Sequence, residues 1–556
     1  MFTPNINPKR LKLWWRFLDQ IVQDIDDQLK TGPRPFKNAK RSIVSDIVNT
    51  LIAHLDIILI PTLVTYIHTQ KGNTKSNCSI YDSLFAEDPI LILEKLERFH
   101  SQTIINVYNK CRRFKLHFYQ LTNRIFKDWE EIKKLYHLYD TDSLSSMQLM
   151  CGDEHFQGAQ TSILRFESGK KGFVYKPINM NVELLIQDLQ SAANIWQGYN
   201  PVENRIITKY DGINYYGYLG LYAYNGKVRS LEEAKAVYYN FGKILAWGIF
   251  FKISDGHCDN IIVNAPDVHW IDLESTFHFM HDIAYQVNHL EATGLLYEAK
   301  PDNAYIGIIT GIQGGTIPRL GLTSPTIYND GTDDILVRYF KIFHPTSCNN
   351  RIFLNQELCK PEEFVSSIKE GYINELKFLC AHKENIMKII FDFFEKLHIQ
   401  VRYIIQTTAS YARSIGLINH IIASRNGDII EKIKKERKVT IIGKQKFFEN
   451  FIIENELLDI VNGVIPYFYR SNKNNNLYHA SGSSRKNFFD ISLLNEVHTH
   501  IMNISDKEED VKSDCEFIER ALNSTSGINT FEDFKNRFSF AVFDFEKRMQ
   551  NLIGSI

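Results

Sequence analysis

The stretch from Asp255 to Glu274 limits what this chain can be more than any other feature of its sequence. It contains Asp255, then Asn260 five residues later, and Asp272 twelve residues beyond that. In such an arrangement the first Asp can orient and deprotonate a hydroxyl, while the Asn and the second Asp offer Mg²⁺ the hard oxygen ligands it requires. The alternative is a polar turn between two strands. The apolar lead Val268–Ile271 makes Asp272 the end of a strand and favours the Mg²⁺ site.

A predicted β-hairpin lies upstream of this stretch and delivers a lysine. Thr161–Phe166 and Phe173–Pro177 have the composition of two strands, and the polar residues between them form a turn. Lys176, near the end of the returning strand, would place one positive charge beside nucleotide phosphates. A solvated surface lysine is the alternative interpretation.

The order of these features along the chain favours phosphate binding. A helical segment near Val182–Gln197 follows the lysine strand, and the Asp/Asn/Asp set comes later. This is the order found in kinase-type phosphotransferases. Glu183 and Asp188, both in the helical segment, remain equal candidates for pairing with Lys176.

Short motifs follow one another along most of the chain. They are Asp153-Glu154-His155 with Gly158, Tyr175-Lys176-Pro177, Asp255–Asn260, Asp272-Leu273-Glu274, Arg402–Tyr411 and Gly463–Phe468. In this order they resemble the D-x-H-x-x-G, YKP, D-x-H-x-x-N, DLE, R-x-I-x-R-x-T-x-x-Y and G-D-I-P-Y-F motifs of one family. That family is the dehydratase portion of class II lanthipeptide synthetases, the LanM type. Ile60–Leu63 likewise resembles an apolar helix of the family's N-terminal region.

The resemblance implies an α+β fold that is mostly helical, with a bilobal kinase-like (lipid-kinase-like) core and added helical N- and C-terminal regions. Composition along the chain divides it in a similar way. The four predicted regions are a helical N-terminal region at 1–150, a nucleotide-binding lobe at 151–245, a catalytic lobe at 246–425 and a helical C-terminal region at 426–556. Within the last region, Ser471–Lys486 is predicted as a polar loop. Gly307–Gly321 is either a mobile loop near the site or a plain surface connection.

The resemblance also implies a two-step activity on a peptide. A Ser or Thr of a precursor peptide is phosphorylated with ATP and Mg²⁺, and phosphate is then eliminated to give dehydroalanine or dehydrobutyrine. For the first step it implies Asp255 and His257 as catalytic residues, Lys176 at the nucleotide, and Asn260 and Asp272 as Mg²⁺ ligands. Such an enzyme is an ATP-dependent Ser/Thr phosphotransferase and phosphate lyase.

For the elimination step, the resemblance assigns roles to His155, Glu274, Arg402 and Thr408, with Asp153 beside them. The step needs a base for a weakly acidic C–H, a cation for the departing phosphate and stabilisation of enolate-like charge. Arg402 offers a planar fork of donors for phosphate. His155 is the first candidate for the base, because the unperturbed pKa of a histidine lies near working pH.

Each elimination residue also has a structural alternative. The helical pattern within Pro361–Ile415 puts Arg402 and Thr408 on different faces of a regular helix, where Arg402 would cap a helix or form a salt bridge. His155 can be a hydrogen-bonded structural histidine, and Glu274 can begin a solvated loop.

Four positions depart from the family motifs, and they bear on the second step. Ile178 and Gln406 each stand where the family has Arg. Cys258 stands where Tyr is common, and Val464 stands where the family has Asp. The phosphoryl-transfer residues remain whole, so a kinase that phosphorylates a peptide or another hydroxyl substrate without elimination stays an alternative. A non-catalytic peptide-binding protein on the same scaffold is disfavoured by the intact Lys176 and Asp255–Asn260.

Full-length members of the resembled family continue into a cyclase domain that binds Zn²⁺ through two Cys and one His. This chain stops at Ile556, and its eight cysteines form no C-x-x-C pair. We therefore expect a dehydratase without the C-terminal cyclase domain, with no structural zinc and no thioether rings unless a second enzyme acts. Cys348 and Cys359 are interpreted as buried thiols rather than zinc ligands. The implied partners are a precursor peptide with its leader, a separate cyclase and an export transporter.

Composition argues against other classes. Lys plus Arg is 64 and Asp plus Glu is 65, so no excess of positive charge favours nucleic acid as a partner. The unpatterned cysteines and an N-terminus without a signal-peptide pattern predict a cytoplasmic location, with peripheral contact to the inner membrane through partners left open. Ile47–Ile67 carries His54, Asp56 and Pro61, which leaves fewer than the ~20 apolar residues of a membrane span, and a buried helical hairpin is predicted there.

Overall fold

A computed structural model describes most of the chain. It covers residues 6–73, 79–167, 171–279, 288–300, 309–314, 319–320, 324–340, 343–344, 349–418, 450–528, 533 and 536–537. Helices predominate in these residues and small sheets lie between them, which confirms the expected α+β, mostly helical class. The division into four regions remains a prediction.

The N-terminal part of the chain is helical, and its helices share one apolar core. They are α1 (Pro8–Phe17), α2 (Asp19–Thr31), α3 (Arg34–Lys37), α4 (Arg41–Asn73), α5 (Ile80–Phe85), α6 (Pro89–Phe99) and α7 (Ser101–Tyr136). The side chains of Asn7, Ser79 and Asp88 accept hydrogen bonds from first-turn amides of α1, α5 and α6, which sets where these helices begin. Their apolar faces pack together and against the sheet that follows.

One continuous helix, α4, occupies the segment predicted as a buried helical hairpin, so that prediction is wrong. Pro61 lies inside this helix, where it removes one backbone hydrogen bond. Burial of Leu59, Ile60 and Leu63 in the helical core keeps the helix intact across the proline. By length and composition Arg41–Gly72 could cross a membrane, but 67% of its most apolar window is buried inside the protein, as in a core helix.

A five-stranded antiparallel sheet follows, in the order β1-β2-β3-β5-β4. Its strands are β1 (Leu144–Cys151), β2 (Thr161–Phe166), β3 (Lys171–Lys176), β4 (Ile206–Tyr210) and β5 (Tyr215–Gly220). The predicted hairpin is confirmed, since β2 and β3 pair in antiparallel register from Phe166 opposite Lys171. Residues 168–170 of its turn lie outside the described residues. Helix α8 (Asn181–Trp196) confirms the helical segment predicted after the lysine strand.

The other helices and strands of the described residues follow in chain order. They are β6 (Lys227–Val228), α9 (Leu231–Phe250), β7 (Ile261–Asn264), β8 (Asp267–Trp270), β9 (Arg319–Leu320), β10 (Ser324–Tyr328), β11 (Leu336–Phe340), β12 (Phe343–His344), β13 (Phe353–Leu354), β14 (Glu357–Leu358), α10 (Val365–Ala381), α11 (Lys383–Lys396), β15 (Gln400–Arg402), α12 (Thr408–Ile418), α13 (Asn450–Val461), β16 (Phe468–Ser471), β17 (Leu477–His479), β18 (Ser484–Arg485), α14 (Leu493–Asn503) and α15 (Glu508–Ser524). Helices α8 to α11, α14 and α15 bury their apolar faces in a second core.

Two glycines hold α9 against α10 at the centre of this second core. A Cβ on Gly242 would lie 2.1 Å from the carbonyl O of Ile368, and one on Gly371 would lie 2.0 Å from that of Tyr239. Only glycine therefore lets the two helix backbones approach so closely. The segment that follows α9 carries Asp255, His257 and Asn260.

A four-stranded sheet in the order β15-β16-β17-β18 overturns two local predictions. The helices predicted within Pro361–Ile415 are confirmed as α10, α11 and the first part of α12, but a strand interrupts them, and Arg402 lies in this strand, β15, rather than in a helix. Ser471–Lys486, predicted as a polar loop, contains β17 and β18. Arg402 is extended because β15 pairs with the distant β16, and local periodicity does not report such pairing. The strands within Ser471–Lys486 instead form local hairpins, since β17 pairs with its chain neighbours β16 and β18.

Candidate active site

Lys176 lies at the centre of a buried charged group at the end of β3. Its Nζ is 2.7 Å from Glu183 Oε1, 2.8 Å from Asp272 Oδ1 and 3.4 Å from the carbonyl O of Ile271. Glu183, not Asp188, is therefore its partner in α8. Lys176 is only 6% exposed, which excludes a solvated surface lysine. We call Lys176, Glu183 and Asp272 the lysine cluster.

The charges of Lys176 and Asp272 support each other, whereas burial raises the pKa of Glu183 against the effect of Lys176. Burial alone would lower the pKa of Lys176, but Asp272 and Glu183 outweigh it and raise that pKa. Burial alone would also raise the pKa of Asp272, but the ammonium of Lys176 outweighs it and lowers that pKa. Lys176 and Asp272 are therefore both charged at neutral pH.

Asp255 begins a tight loop between α9 and β7. Its φ is 67°, in the left-handed region that residues other than glycine rarely adopt. Asn260 Nδ2 donates to the carbonyl O of Asp255 at 2.9 Å, and the N–H of Gly256 donates to the carbonyl O of Thr293 at 2.8 Å. His257 Nε2 lies 3.8 Å from Asp255 Oδ1 and 3.2 Å from Asn260 Nδ2. The loop thus brings Asp255, His257 and Asn260 together.

Burial raises the pKa of Asp255 to about 6, against the opposing effects of His257 and Arg402. Such a carboxylate is mostly ionised at neutral pH and is a stronger proton acceptor than an ordinary Asp. The described part of Gly307–Gly321 reaches this loop, because Thr310 and His257 form an antiparallel β-bridge. The rest of that predicted loop lies partly outside the described residues, and its mobility stays a prediction.

Asp272 and Glu274 belong to one short segment but contact different cations. Asp272 Oδ1 contacts Lys176 at 2.8 Å, whereas Glu274 Oε1 accepts a hydrogen bond from Arg402 Nη1 at 2.6 Å. The backbone N–H of Arg402 also donates to the carbonyl O of Glu274 at 2.8 Å. Asp272 and Glu274 are separated by one residue, and they therefore connect the charged group around Lys176 with the charged group around Arg402.

Arg402 lies at the centre of the second charged group. Its Nη2 is 3.7 Å from Asp153 Oδ2, and the same oxygen accepts a hydrogen bond from Thr408 Oγ1 at 2.7 Å. The hydroxyl of Tyr467 donates to Glu274 Oε2 at 3.2 Å. We call Arg402, Glu274, Asp153, Thr408 and Tyr467 the arginine cluster. Its members come from separate parts of the chain, and Arg402 and Thr408 meet through Asp153 rather than along a helix.

His155 lies beside the arginine cluster. Its Nδ1 is 2.8 Å from the carbonyl O of Ile465, and its ring centre is 4.9 Å from that of Tyr467. Because a carbonyl oxygen only accepts, Nδ1 carries the hydrogen and Nε2 of the neutral ring carries the lone pair. Burial and the nearby Arg402 lower the pKa of His155, so the ring is neutral at physiological pH.

A buried ion group holds the segment that carries Asp153 and His155. Glu154, between them, pairs with Lys110 and with Arg113, whose Nε lies 2.6 Å from Glu154 Oε1. The side chains of Glu154 and Arg113 are each 10% exposed, so this group is shielded from water. The middle residue of the motif therefore anchors its two neighbours to α7.

The predicted site residues gather on the two sides of Asp272-Leu273-Glu274. Lys176, Asp255, His257, Asn260 and Asp272 lie on the side of the lysine cluster, and Asp153, His155, Glu274, Arg402 and Thr408 lie on the side of the arginine cluster. Sequence reasoning missed Glu154 and Tyr467 as site residues. Both residues lie inside motifs that resemble the family, so the sequence marked their positions. Nothing in the sequence indicated which side chains they contact.

Two of the four departures from the family motifs are buried, and a third packs against an apolar cluster. Cys258 is 0% exposed and Val464 is 2% exposed. Ile178 is uncharged where the family has Arg, and it packs against the apolar cluster around Met180. Cys359 is buried, as expected, and Cys348 lies outside the described residues.

Asn260 and Asp272 fit the role of oxygen ligands for Mg²⁺. Nδ2 of Asn260 faces the carbonyl of Asp255, which leaves Oδ1 as the ligating end, and Asp272 keeps Oδ2 beside the oxygen that contacts Lys176. Mg²⁺ takes few protein ligands and completes its octahedron with water and phosphate oxygens. Within the described ranges, no three His, Cys, Asp or Glu side chains group together as a metal site.

Residues 106–471 match the model of a protein family described as Domain of unknown function (DUF4135). The match spans more than half of the chain, and the chain therefore belongs to this family. The chain is also 24% identical over 380 residues to the lacticin 481/lactococcin biosynthesis protein LcnDR2 of Lactococcus lactis subsp. lactis. That alignment covers 63% of this chain and 39% of the relative, so the chain spans well under half of the relative's length. Together these matches confirm the resemblance to the dehydratase region of LanM-type class II lanthipeptide synthetases.

Proposed function

We propose that this chain is a lanthipeptide dehydratase that first phosphorylates Ser or Thr of a precursor peptide and then eliminates the phosphate. The observation that carries the proposal is the placement of Asp272 and Glu274 on two different buried cations, Lys176 and Arg402. A two-step reaction of this kind needs one cation beside the nucleotide and another for the departing phosphate. We propose further that the lysine cluster and the Asp255 loop lie in a bilobal kinase-like core.

In the first step, Asp255 accepts the proton of the substrate hydroxyl. Its raised pKa, about 6, suits a group that must be ionised yet able to take a proton. Lys176, held by Glu183 and Asp272, provides a fixed positive charge for nucleotide phosphates. MgATP supplies the phosphoryl group when bound, and Asn260 and Asp272 would hold its metal.

The charge of the site supports a divalent cation. The carboxylates of Asp153, Glu183, Asp255, Asp272 and Glu274 surround two cationic side chains, Lys176 and Arg402. Carboxylates therefore outnumber the cations, and a triphosphate would add further negative charge. Mg²⁺ compensates such an excess without occupying many protein ligands.

In the second step, the α-proton of the phosphorylated residue passes to a base, the Cα electron pair forms the C=C bond, and the Cβ–O bond breaks to release phosphate. His155 is suited as the base, because its Nδ1 is committed to Ile465 and its Nε2 carries the lone pair. Arg402 is suited to bind the departing phosphate through its planar guanidinium. Thr408 orients Asp153 beside Arg402.

A kinase that stops at the phosphopeptide is the second candidate function. Two observations favour it: Ile178 is apolar where the family has Arg, and the charge of Arg402 is offset by Glu274 and Asp153. Elimination would then lack the positive charge that the leaving phosphate requires.

The name of the relative LcnDR2 refers to lacticin 481 and lactococcin biosynthesis, and we extend such a biosynthetic role to this chain. The proposed partners are a precursor peptide with its leader, a separate cyclase and an export transporter. The proposed location is the cytoplasm, where ATP and reduced cysteines are available.

Mass spectrometry of product peptides tests the proposal. The purified chain is incubated with synthetic leader–core peptides rich in Ser, Thr and Cys, with and without ATP and Mg²⁺. Loss of water that depends on both is the expected result. Gain of phosphate without loss of water would establish the kinase alternative, and unchanged peptides would contradict both candidates.

A further inference from the structure

Tyr467 occupies the point where three separate segments of the site meet. The N–H of Ala480 donates to its carbonyl O at 2.9 Å, and the N–H of Tyr403 donates to the carbonyl O of the next residue, Phe468, at 2.8 Å. Pro466 precedes it and restricts the backbone further. The backbone of Tyr467 is therefore fixed by β-type pairing before its side chain makes any contact.

The side chain of Tyr467 contacts three of the charged or titratable residues of the proposed elimination step. Its hydroxyl donates to Glu274 Oε2 at 3.2 Å. The guanidinium carbon of Arg402 lies 5.4 Å from its ring centre, within cation–π range. The edge of the ring meets the imidazole of His155, with ring centres 4.9 Å apart.

These contacts complete the fixation of Glu274. One carboxylate oxygen of Glu274 is held by Arg402 at 2.6 Å, and the other is held by Tyr467. A carboxylate held at both oxygens cannot rotate, so the guanidinium that it contacts keeps one plane. Burial and the neighbouring Glu274 keep the pKa of Tyr467 well above its usual value, and the phenol remains a hydrogen-bond donor.

We infer that Tyr467 is a positioning residue for phosphate elimination, which holds Glu274 and Arg402 in the orientation that receives the departing phosphate. This inference rests on the proposed function. A role in packing alone would need only the ring, whereas here the hydroxyl is directed at a buried carboxylate. Displacing a group at a reacting centre by an ångström can slow a step about a hundredfold.

The test isolates elimination from phosphoryl transfer. The full chain and its Tyr467→Phe variant are given a synthetic peptide that already carries phosphoserine, and formation of dehydroalanine is followed under single-turnover conditions. We expect the elimination rate constant of Tyr467→Phe to fall about ten- to a hundredfold, with unchanged affinity for the phosphopeptide. Phosphorylation of an unmodified peptide by the same variant should proceed at the wild-type rate.

A matched control lies two residues away on β16. The ring of Tyr469 stacks on Tyr478, with centres 5.2 Å apart, and Tyr469→Phe removes a hydroxyl from the same strand. It should leave both steps unchanged. Tyr467→Leu removes the ring as well as the hydroxyl, and should slow elimination more than Tyr467→Phe does.

Each remaining outcome decides against a specific statement. Normal elimination by Tyr467→Phe would overturn the positioning role while the proposed function stands. Equal loss of both steps, with a lowered melting temperature, would make Tyr467 a folding residue and also overturn the role. Failure of the wild-type chain to eliminate phosphate from the phosphopeptide would instead contradict the lyase part of the proposed function, and the role of Tyr467 would fall with it.

Discussion

The lysine cluster and the arginine cluster have the same composition of charge but differ in how their cations are bound. Each contains one buried cation and two carboxylates. Lys176 has both carboxylates within 2.8 Å, together with the carbonyl of Ile271 at 3.4 Å. Arg402 has Glu274 at 2.6 Å but Asp153 at 3.7 Å, and the nearer hydrogen-bond donor to Asp153 is Thr408.

This difference suits the two clusters to different tasks. An ammonium has three donors, and all three of Lys176 have an acceptor within reach, so Lys176 is a fixed point charge. A guanidinium has five donors, and among the described residues Glu274 alone accepts a side-chain hydrogen bond from Arg402. Arg402 therefore keeps donors that an incoming phosphate can use. The following variants separate the two clusters.

The largest effect is expected from Asp272→Asn. The amide removes the negative charge that holds Lys176 and attracts Mg²⁺, and it replaces one carboxylate oxygen with an NH2 group that cannot bind a metal, so phosphoryl transfer should fall by about a thousandfold or more. Phosphate incorporation from labelled ATP into a Ser/Thr peptide measures this loss. Asp255→Asn, which removes the proton acceptor, should have a similar effect.

Asp267→Asn serves as the control for both variants, because Asp267 lies at the start of β8, a few residues before Asp272, with an exposed side chain. It should keep nearly full activity. Wild-type phosphate incorporation by Asp272→Asn would remove the lysine cluster from the proposed mechanism.

A smaller and selective effect is expected from Arg402→Ala. Loss of one donor to developing charge typically slows a step about a hundred- to a thousandfold, and only elimination depends on Arg402. Phosphopeptide should therefore accumulate while dehydrated peptide is lost, as mass spectrometry of the peptide would show. Arg402→Lys keeps the charge but loses the planar fork of donors, so its elimination rate should lie between those of the wild type and Arg402→Ala.

The two clusters would not be functionally distinct if Arg402→Ala slowed phosphorylation as much as elimination. Fully dehydrated peptide formed at the normal rate would instead make Arg402 a structural residue that pairs with Glu274.

The smallest effect is expected from pH. The pKa of Asp255 is raised to about 6, so its carboxylate is progressively protonated, and unable to accept a proton, as pH falls through that value. Phosphoryl transfer should therefore decline about tenfold per pH unit below pH ~6. Elimination from a preformed phosphopeptide does not use Asp255, so the elimination rate should not show this decline at low pH. A phosphoryl-transfer rate that is flat down to pH ~5 would contradict Asp255 as the base.

Much of the site on the lysine side could be predicted from sequence, because each of its elements is a short-range structure, although the contact of Lys176 with Asp272 joins residues 96 positions apart. The hairpin that ends in Lys176, the helix after it and the Asp255 loop are short-range structures with local signals. The choice of Glu183 over Asp188 could not be predicted, because both lie in one helix and only the packed position of α8 brings one of them to Lys176.

The arginine side depended on long-range pairing. Four of its residues come from distant parts of the chain: Asp153, Glu274, Arg402 and Tyr467. The pairing of β15 with β16 brings Arg402 near Tyr467, and the hydrogen bond from His155 to the carbonyl O of Ile465 brings the segment of Asp153 to them. Local periodicity extended the helical run through Arg402 and made a loop of Ser471–Lys486, and both predictions were wrong. The pairing of β15 with β16 is specified by the packed chain as a whole and leaves no periodic trace in either strand, whereas β17 and β18 form local hairpins that the polar composition of Ser471–Lys486 concealed.

The sequence by itself therefore determined the types of chemical group and their order along the chain, since catalytic loops and hairpins are encoded within a few residues. Tertiary structure alone decided which carboxylate meets which cation, and it placed Tyr467 against Glu274, Arg402 and His155. The physical reason is the distance along the chain. Contacts within one turn or hairpin are set by local backbone geometry, whereas contacts between distant segments form only when buried apolar faces bring those segments together.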